Sequence, residues 1–363
     1  MKINGLEITK AVRDMGDLNK LHDLTGMISR SPNVPTFMTD LLGGSIGSEF
    51  LSTNTFEHDA VESFIADIED KAFSERGAAF NERDVTKTHL FKVPSFGIQT
   101  HIKPSDALRR RVEGTKDTME TIDRLVAKDL ANIQKSWALF EERQIVNTIT
   151  SGSLYVPNGS VQSYDFYAEY TSNNAANRPS VEFKFGDPNA YPREVGEEAR
   201  NFIADNLLDG ETVDDFICIC GKDFFKERIS HVKEEQAMVQ RSGILGQDPL
   251  IERLDNFTNG KLYRKYRGAD DILYVEYTAR VGGTPLIAAD EGYIMPVNAG
   301  SAFVRAYAPA ETMQYANTTA QAQYAWRYDD EFSGTKLFWE SNQGLYLTNP
   351  NLIVKATMDL TAP

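Results

Sequence analysis

The spacing of apolar residues changes character several times along the chain. Between Pro104 and Ile145, apolar side chains recur at Leu108, Val112, Met119, Ile122, Val126, Leu130, Ile133, Trp137, Phe140 and Ile145, in steps of mostly three and four. That is the period of one helix face, and Thr115 fills the single gap in phase. Pro104, Ser105 and Asp106 supply a start, with a side-chain oxygen able to accept an amide hydrogen bond in the first turn. The pattern predicts an amphipathic helix of about 40 residues, ~60 Å long. Gly114 and Thr115 break its apolar face, which grows bulkier toward its end than a coiled-coil seam. A spine packed against a sheet is expected.

Upstream, Thr55 to Ile68 and Thr88 to Ile102 read as strands around a charged middle with Glu75, Arg76, Gly77, Glu82, Arg83 and Asp84. A long hairpin with a glycine-containing tip is expected. Two strands alone are marginal in water, so a hairpin this long needs a surface to lie on. Residues 1–53 hold no sustained period, because Pro32, Pro35, Gly43, Gly44 and Gly47 interrupt it. They read as an extended arm, with Phe37, Leu41, Leu42 and Phe50 as docking contacts.

After Gly152 the chain becomes aromatic and turn-rich. A mixed region begins near Pro192, with a helix marked by Val195, Ala199, Phe202 and Asn206, a strand from Val213 to Cys220, and a helix through Phe225, Ile229, Val232, Gln236 and Val239. From Lys261 the pattern is mostly strand, at Ile272–Tyr277, Tyr293–Val297, Ala302–Tyr307, Lys336–Glu340 and Leu352–Thr357. Grouped rather than alternating helices and strands predict an α+β fold.

Composition narrows the function. The 363 residues carry 38 basic and 53 acidic side chains, a formal charge of −15. A chain of this length buries roughly three quarters of its unfolded surface, so its core needs no disulfide or metal staple. The charge argues against a nucleic-acid binder that works by phosphate neutralisation. No apolar run reaches the length of a membrane span, and neither a membrane nor a signal peptide is expected.

Candidate chemistry is sparse. Gly43 to Gly47 satisfies the G-x-S-x-G nucleophile elbow, which would make Ser45 a nucleophile served by His101 or His231. The elbow requires a sheet already built from earlier units, and only 42 residues precede it. The five histidines lack zinc-site spacing, and Cys218 and Cys220 sit in the apolar run Phe216–Cys220, which reads as a buried core strand. No phosphate-cradling glycine motif occurs. No catalytic residue, cofactor or metal is expected. Arg109, Arg110 and Arg111 fall in the first turns of the long helix, where the macrodipole disfavours cations. They point to a carboxylate on a partner.

The order of arm, charged hairpin, spine helix and α+β region resembles the major capsid proteins of tailed bacteriophages, within them the lambda-like capsid protein E family. The likeness is carried by Gly77 to Asp84, by Phe91 to Phe96, by Ile102 to Asp106 leading into the helix, and by Phe303 to Glu311 followed by Tyr324, Lys336 and Leu352 to Lys355. The resemblance implies the Hong Kong 97-type capsid fold. In its terms residues 1–53 form an N-terminal arm, 54–103 an extended loop reaching onto a neighbour, 104–192 with 312–363 a peripheral domain, and 193–311 an axial domain. It implies a structural shell subunit, assembling through hexamers and pentamers into an icosahedral head in the bacterial host cytoplasm. A separate scaffold protein, a portal and a decoration protein are implied partners, and the head would enclose double-stranded DNA without sequence-specific binding. Phe80, Phe91 and Phe96 are then the expected apolar interface contacts, with Arg83, Lys92 and Arg109 to Arg111 pairing to acidic groups of neighbours. The alternatives are an encapsulin-like nanocompartment shell and a serine hydrolase using Ser45.

Overall fold

The computed structural model describes residues 21–23, 36–62, 85–107, 122–170, 178–208, 211–236, 254–256, 263–281, 283–300, 302–315, 317–330 and 333–361. In chain order the first elements are β1 (Leu21–Asp23), α1 (Phe37–Leu42), β2 (Gly47–Phe50), β3 (Thr55–Glu62), β4 (Val85–Lys92), β5 (Ser95–Ile102) and α2 (Pro104–Ala107). There follow α3 (Ile122–Ser151), α4 (Phe166–Tyr170), β6 (Ser180–Lys184), α5 (Pro192–Asp205), β7 (Asp215–Cys220), α6 (Lys222–Ser230), β8 (Leu254–Asn256) and β9 (Arg264–Arg267). The remainder is strand: β10 (Ile272–Glu276), β11 (Arg280–Val281), β12 (Thr284–Pro285), β13 (Glu291–Val297), β14 (Phe303–Ala308), β15 (Tyr324–Asp330), β16 (Gly334–Leu347) and β17 (Val354–Asp359).

Two sheets organise these elements. One has six strands in the order β1-β15-β16-β14-β2, with β5 joined to β16. The other has seven, β6-β17-β13-β7-β10-β9-β8. The class is α+β, as the grouping of patterns predicted.

The spine lies on the first sheet. Leu125, Val126, Leu130, Ile133 and Trp137 of α3 pack with Ile102 of β5, Ala325 of β15 and Leu337 and Trp339 of β16. Each such side chain, fully buried, contributes roughly 1.5–3 kcal/mol. The helix stops at Gly152, whose φ of 66° is the left-handed conformation that glycine adopts without a Cβ clash. Its amide N–H donates to the Thr148 carbonyl at 3.0 Å. Residues 108–121 lie outside the described residues. Ile122, read from the period as part of the apolar face, is an exposed residue.

Strand β7 is the middle of the second sheet, parallel to β10 and antiparallel to β13. Both its cysteines are buried and unbridged, as free cysteine packs in a core.

Several expectations need correction. The run from Thr88 to Ile102 is two strands, not one. Pro94 has no N–H to continue a ladder, and the pairing changes there, β4 with β3 and β5 with β16. Residues 36–50, read as an extended arm that docks, do dock but hold regular elements: α1 packs on α3, and β2 pairs in parallel with β14, Val304 opposite Gly47 through Tyr307 opposite Phe50. The helix through Phe225 is broken at His231, which is extended with φ −67° and ψ 131°, and helix resumes over residues 232–236. Sheet membership also cuts across the boundaries read at 192/193 and 311/312. Strands β6 and β17 join the seven-stranded sheet, and β14 joins the six-stranded one.

Candidate assembly surfaces

The β3–β4 hairpin is a two-stranded sheet of its own, held to the body at its root. Phe56 and Phe91 are directly opposite in its register and both are buried. The Tyr346 ring lies 4.6 Å from Phe56 and 5.2 Å from Phe91, and Tyr164 meets Phe91 edge-on at 5.1 Å. Such tilted and edge-on pairs each add about 0.5–1.5 kcal/mol beyond area burial. The Tyr346 hydroxyl donates to the Lys92 carbonyl at 3.3 Å, and the Val93 N–H donates to Asn54 at 3.0 Å, closing the root. Burial pushes the Tyr346 phenol well up. One step outward, His58 and His89 face each other across the strands beside Tyr170, and His89 Nδ1 stands 3.8 Å from Glu169.

The arm is latched at two points. Glu142 of α3, buried, accepts from the Met38 and Thr39 N–H groups at 2.9 and 3.0 Å, from the Thr39 hydroxyl at 3.1 Å and from the Tyr277 hydroxyl at 2.8 Å. Burial raises its carboxyl above the ordinary value, while these four donors pull the other way. Ser45 Oγ donates to Asn298 Oδ1 at 2.7 Å and accepts from the Asn298 N–H at 3.2 Å. The turn holding Ser45 leads from a helix into a strand, the reverse of the nucleophile elbow's strand-to-helix order.

The second sheet carries a buried charge cluster that the sequence reading missed. Arg228 of α6 pairs with Glu234 at 2.6 Å and Asp270 at 3.2 Å, and stacks 4.7 Å from the Tyr274 ring. Tyr274 donates to Asp270 at 2.6 Å, and Tyr266 donates to Glu234 at 2.7 Å. Burial opposes the arginine's charge, but Tyr274, Asp270 and Glu234 outweigh it and hold it protonated. Gly196 of α5 lets that helix approach: a Cβ there would stand 2.0 Å from Asp270 Oδ2.

Of the residues expected at subunit interfaces, Phe80, Arg83, Arg109, Arg110 and Arg111 lie outside the described residues. Phe91 is enclosed by its own chain, so its ring belongs to the hairpin root rather than to an outer surface. Phe96 is half-buried against Phe140 at 4.5 Å, and Lys92 is exposed. Among the described residues no group of three or more metal-ligating side chains occurs.

A two-stranded hairpin held to the body around its root, a spine on one sheet and a second mixed sheet define the class of phage-capsid shell subunits. Two solved structures share this arrangement at a TM-score of 0.50. One is the capsid of cyanophage P-SCSP1u, at 10% identity over 96% of this chain and 94% of that one. The other is a crystallised prophage protein of E. coli CFT073 described as a capsid protein, at 12% over 99% and 100%. In sequence, the chain is 28% identical over 278 residues to the major capsid protein of Pseudomonas phage KPP10, covering 73% of this chain and 76% of that protein. It is 23% identical over 363 residues to that of Salmonella phage Felix O1, covering 93% and 96%. The sequence model of phage major capsid protein E matches residues 20–358, and the chain belongs to that family.

Proposed function

We propose that this protein assembles through hexamers and pentamers into the icosahedral head of a tailed double-stranded DNA phage, as a structural subunit without catalysis. The observation that carries the reading is the β3–β4 hairpin, a two-stranded element with aromatic contacts at the root and, among the described residues, no third strand. Such a hairpin acquires a surface when subunits assemble, at roughly 25 cal/mol per Å² of apolar area buried there. A net charge of −15 per copy suits a wall that encloses DNA without gripping it. In this reading the β3–β4 hairpin supplies the loop that reaches a neighbour, the spine with its sheet, β5 included, forms the periphery, and the region around β7 meets its copies about capsomer centres. Assembly takes place in the host cytoplasm, with a separate scaffold protein, a portal and a decoration protein as partners. Lys92, Phe80 and Arg83 are the contacts assigned to the neighbour.

Deleting residues 70–86 tests the reading. The subunit should fold with unchanged thermal unfolding and fail to close shells, as seen by negative stain; normal shells would refute the loop's role.

A further inference from the structure

Strand β5 has two edges, and β16 fills one. It pairs with β16 from Ser95 opposite Asn342 to Ile102 opposite Thr335. Among the described residues no strand lies on its other side. An antiparallel strand with one neighbour turns the N–H and C=O groups of alternate residues outward. Half of this eight-residue strand therefore presents open backbone donors and acceptors.

Proteins blunt such edges by keeping them short or by placing charge or proline on them. The other terminal strands of the two sheets follow that rule. β1 has three residues and carries Asp23, β2 has four and Glu49, β6 has five with Glu182 and Lys184, and β8 has three with Asp255. β5 is the exception: it is eight residues long, with no Lys, Arg, Asp, Glu or Pro from Ser95 to Ile102. Five of the eight residues are exposed, Ile98 among them at 38%.

We propose that the open edge of β5 is a strand-addition site whose occupant is a strand from a second copy of this chain. Copies that each carry −15 repel one another at a distance. An uncharged edge is where two of them can approach without apposing carboxylates, and backbone pairing gives affinity there. At its Ser95 end the strand borders a cleft of about 820 Å³ lined by Lys92, Glu340, Asn342 and the fully exposed Met313, which gives an added chain room to continue. The site rests on the shell-building reading, since that is what supplies the second copy.

Residue-resolved hydrogen exchange across 95–102, compared between dissociated subunits and assembled particles, tests it. Strand addition predicts that alternate amides of β5 slow at least ~10-fold on assembly, while those already bonded to β16 keep their rates. Ile98→Lys, which places a charge on the helix-facing side of the edge, should leave the subunit folded and remove that alternating protection. Particles whose β5 amides are unchanged, or uniformly slowed, would overturn the strand-addition site and leave the shell reading standing. A chain that forms no ordered multimer would overturn both.

Discussion

Replacing Phe91 with alanine probes how the hairpin is fastened. The ring is 1% exposed and meets Phe56 at 6.3 Å, Tyr346 at 5.2 Å, Tyr164 at 5.1 Å and Phe166 at 6.3 Å. Truncating a fully buried phenylalanine costs about 3–5 kcal/mol through lost transfer energy and the residual cavity. The described part of the hairpin pairs with no third strand, so the loss should fall on the root rather than on either large sheet. Exchange of the β3 and β4 amides should accelerate ~100-fold or more, while β7 and β13 remain protected. Leu90→Ala is the control: the residue is the ring's neighbour on the opposite face and is 59% exposed, so its change should lie within about 0.5 kcal/mol. Equal effects of the two substitutions, or unchanged hairpin exchange in Phe91→Ala, would refute the aromatic root.

Gly196→Ala normally favours a helix interior by up to ~1 kcal/mol, yet here it should destabilise in urea titration, because the new Cβ would stand 2.0 Å from Asp270 Oδ2. Asp270→Ala leaves Arg228 with a single buried carboxylate and should cost about 3–5 kcal/mol by the same measurement. The folded carboxyl of Glu142 titrates above its ordinary value of 4.5, so its protonation stabilises the fold below that value and the benefit is lost as pH rises through the folded pKa. Unfolding free energy of wild type minus that of Glu142→Gln should therefore fall as pH rises above 4.5; a rise would contradict the sign. Cys218 and Cys220, both buried, should resist a thiol reagent in the folded subunit and react fully in denaturant.

Much of this was legible because it is local. The three-and-four spacing through Val126, Leu130, Ile133 and Trp137 declares a helix with one face to bury, and the apolar run around Cys218 and Cys220 declares a core strand. The order of elements was enough to mark the capsid family. What periodicity could not show is pairing over long separations. Gly47–Phe50 becomes a strand only because β14, some 250 residues later, offers it an edge. The same holds for the latch at Glu142, a lone carboxylate on a helix whose four donors come from Met38, Thr39 and Tyr277. Asp270 gains its role only where the fold sets it against Arg228 and Tyr274. Pro94 was the one overlooked local signal, since a residue without an N–H inside a strand-like run marks a break.

The most direct test of the shell-subunit account is the size of the purified protein, followed by sedimentation velocity and negative-stain microscopy after expression of the full chain. The account predicts ordered multimers, as closed shells, tubes or capsomer rings. A monodisperse monomer with an esterase activity lost on Ser45→Ala would contradict it.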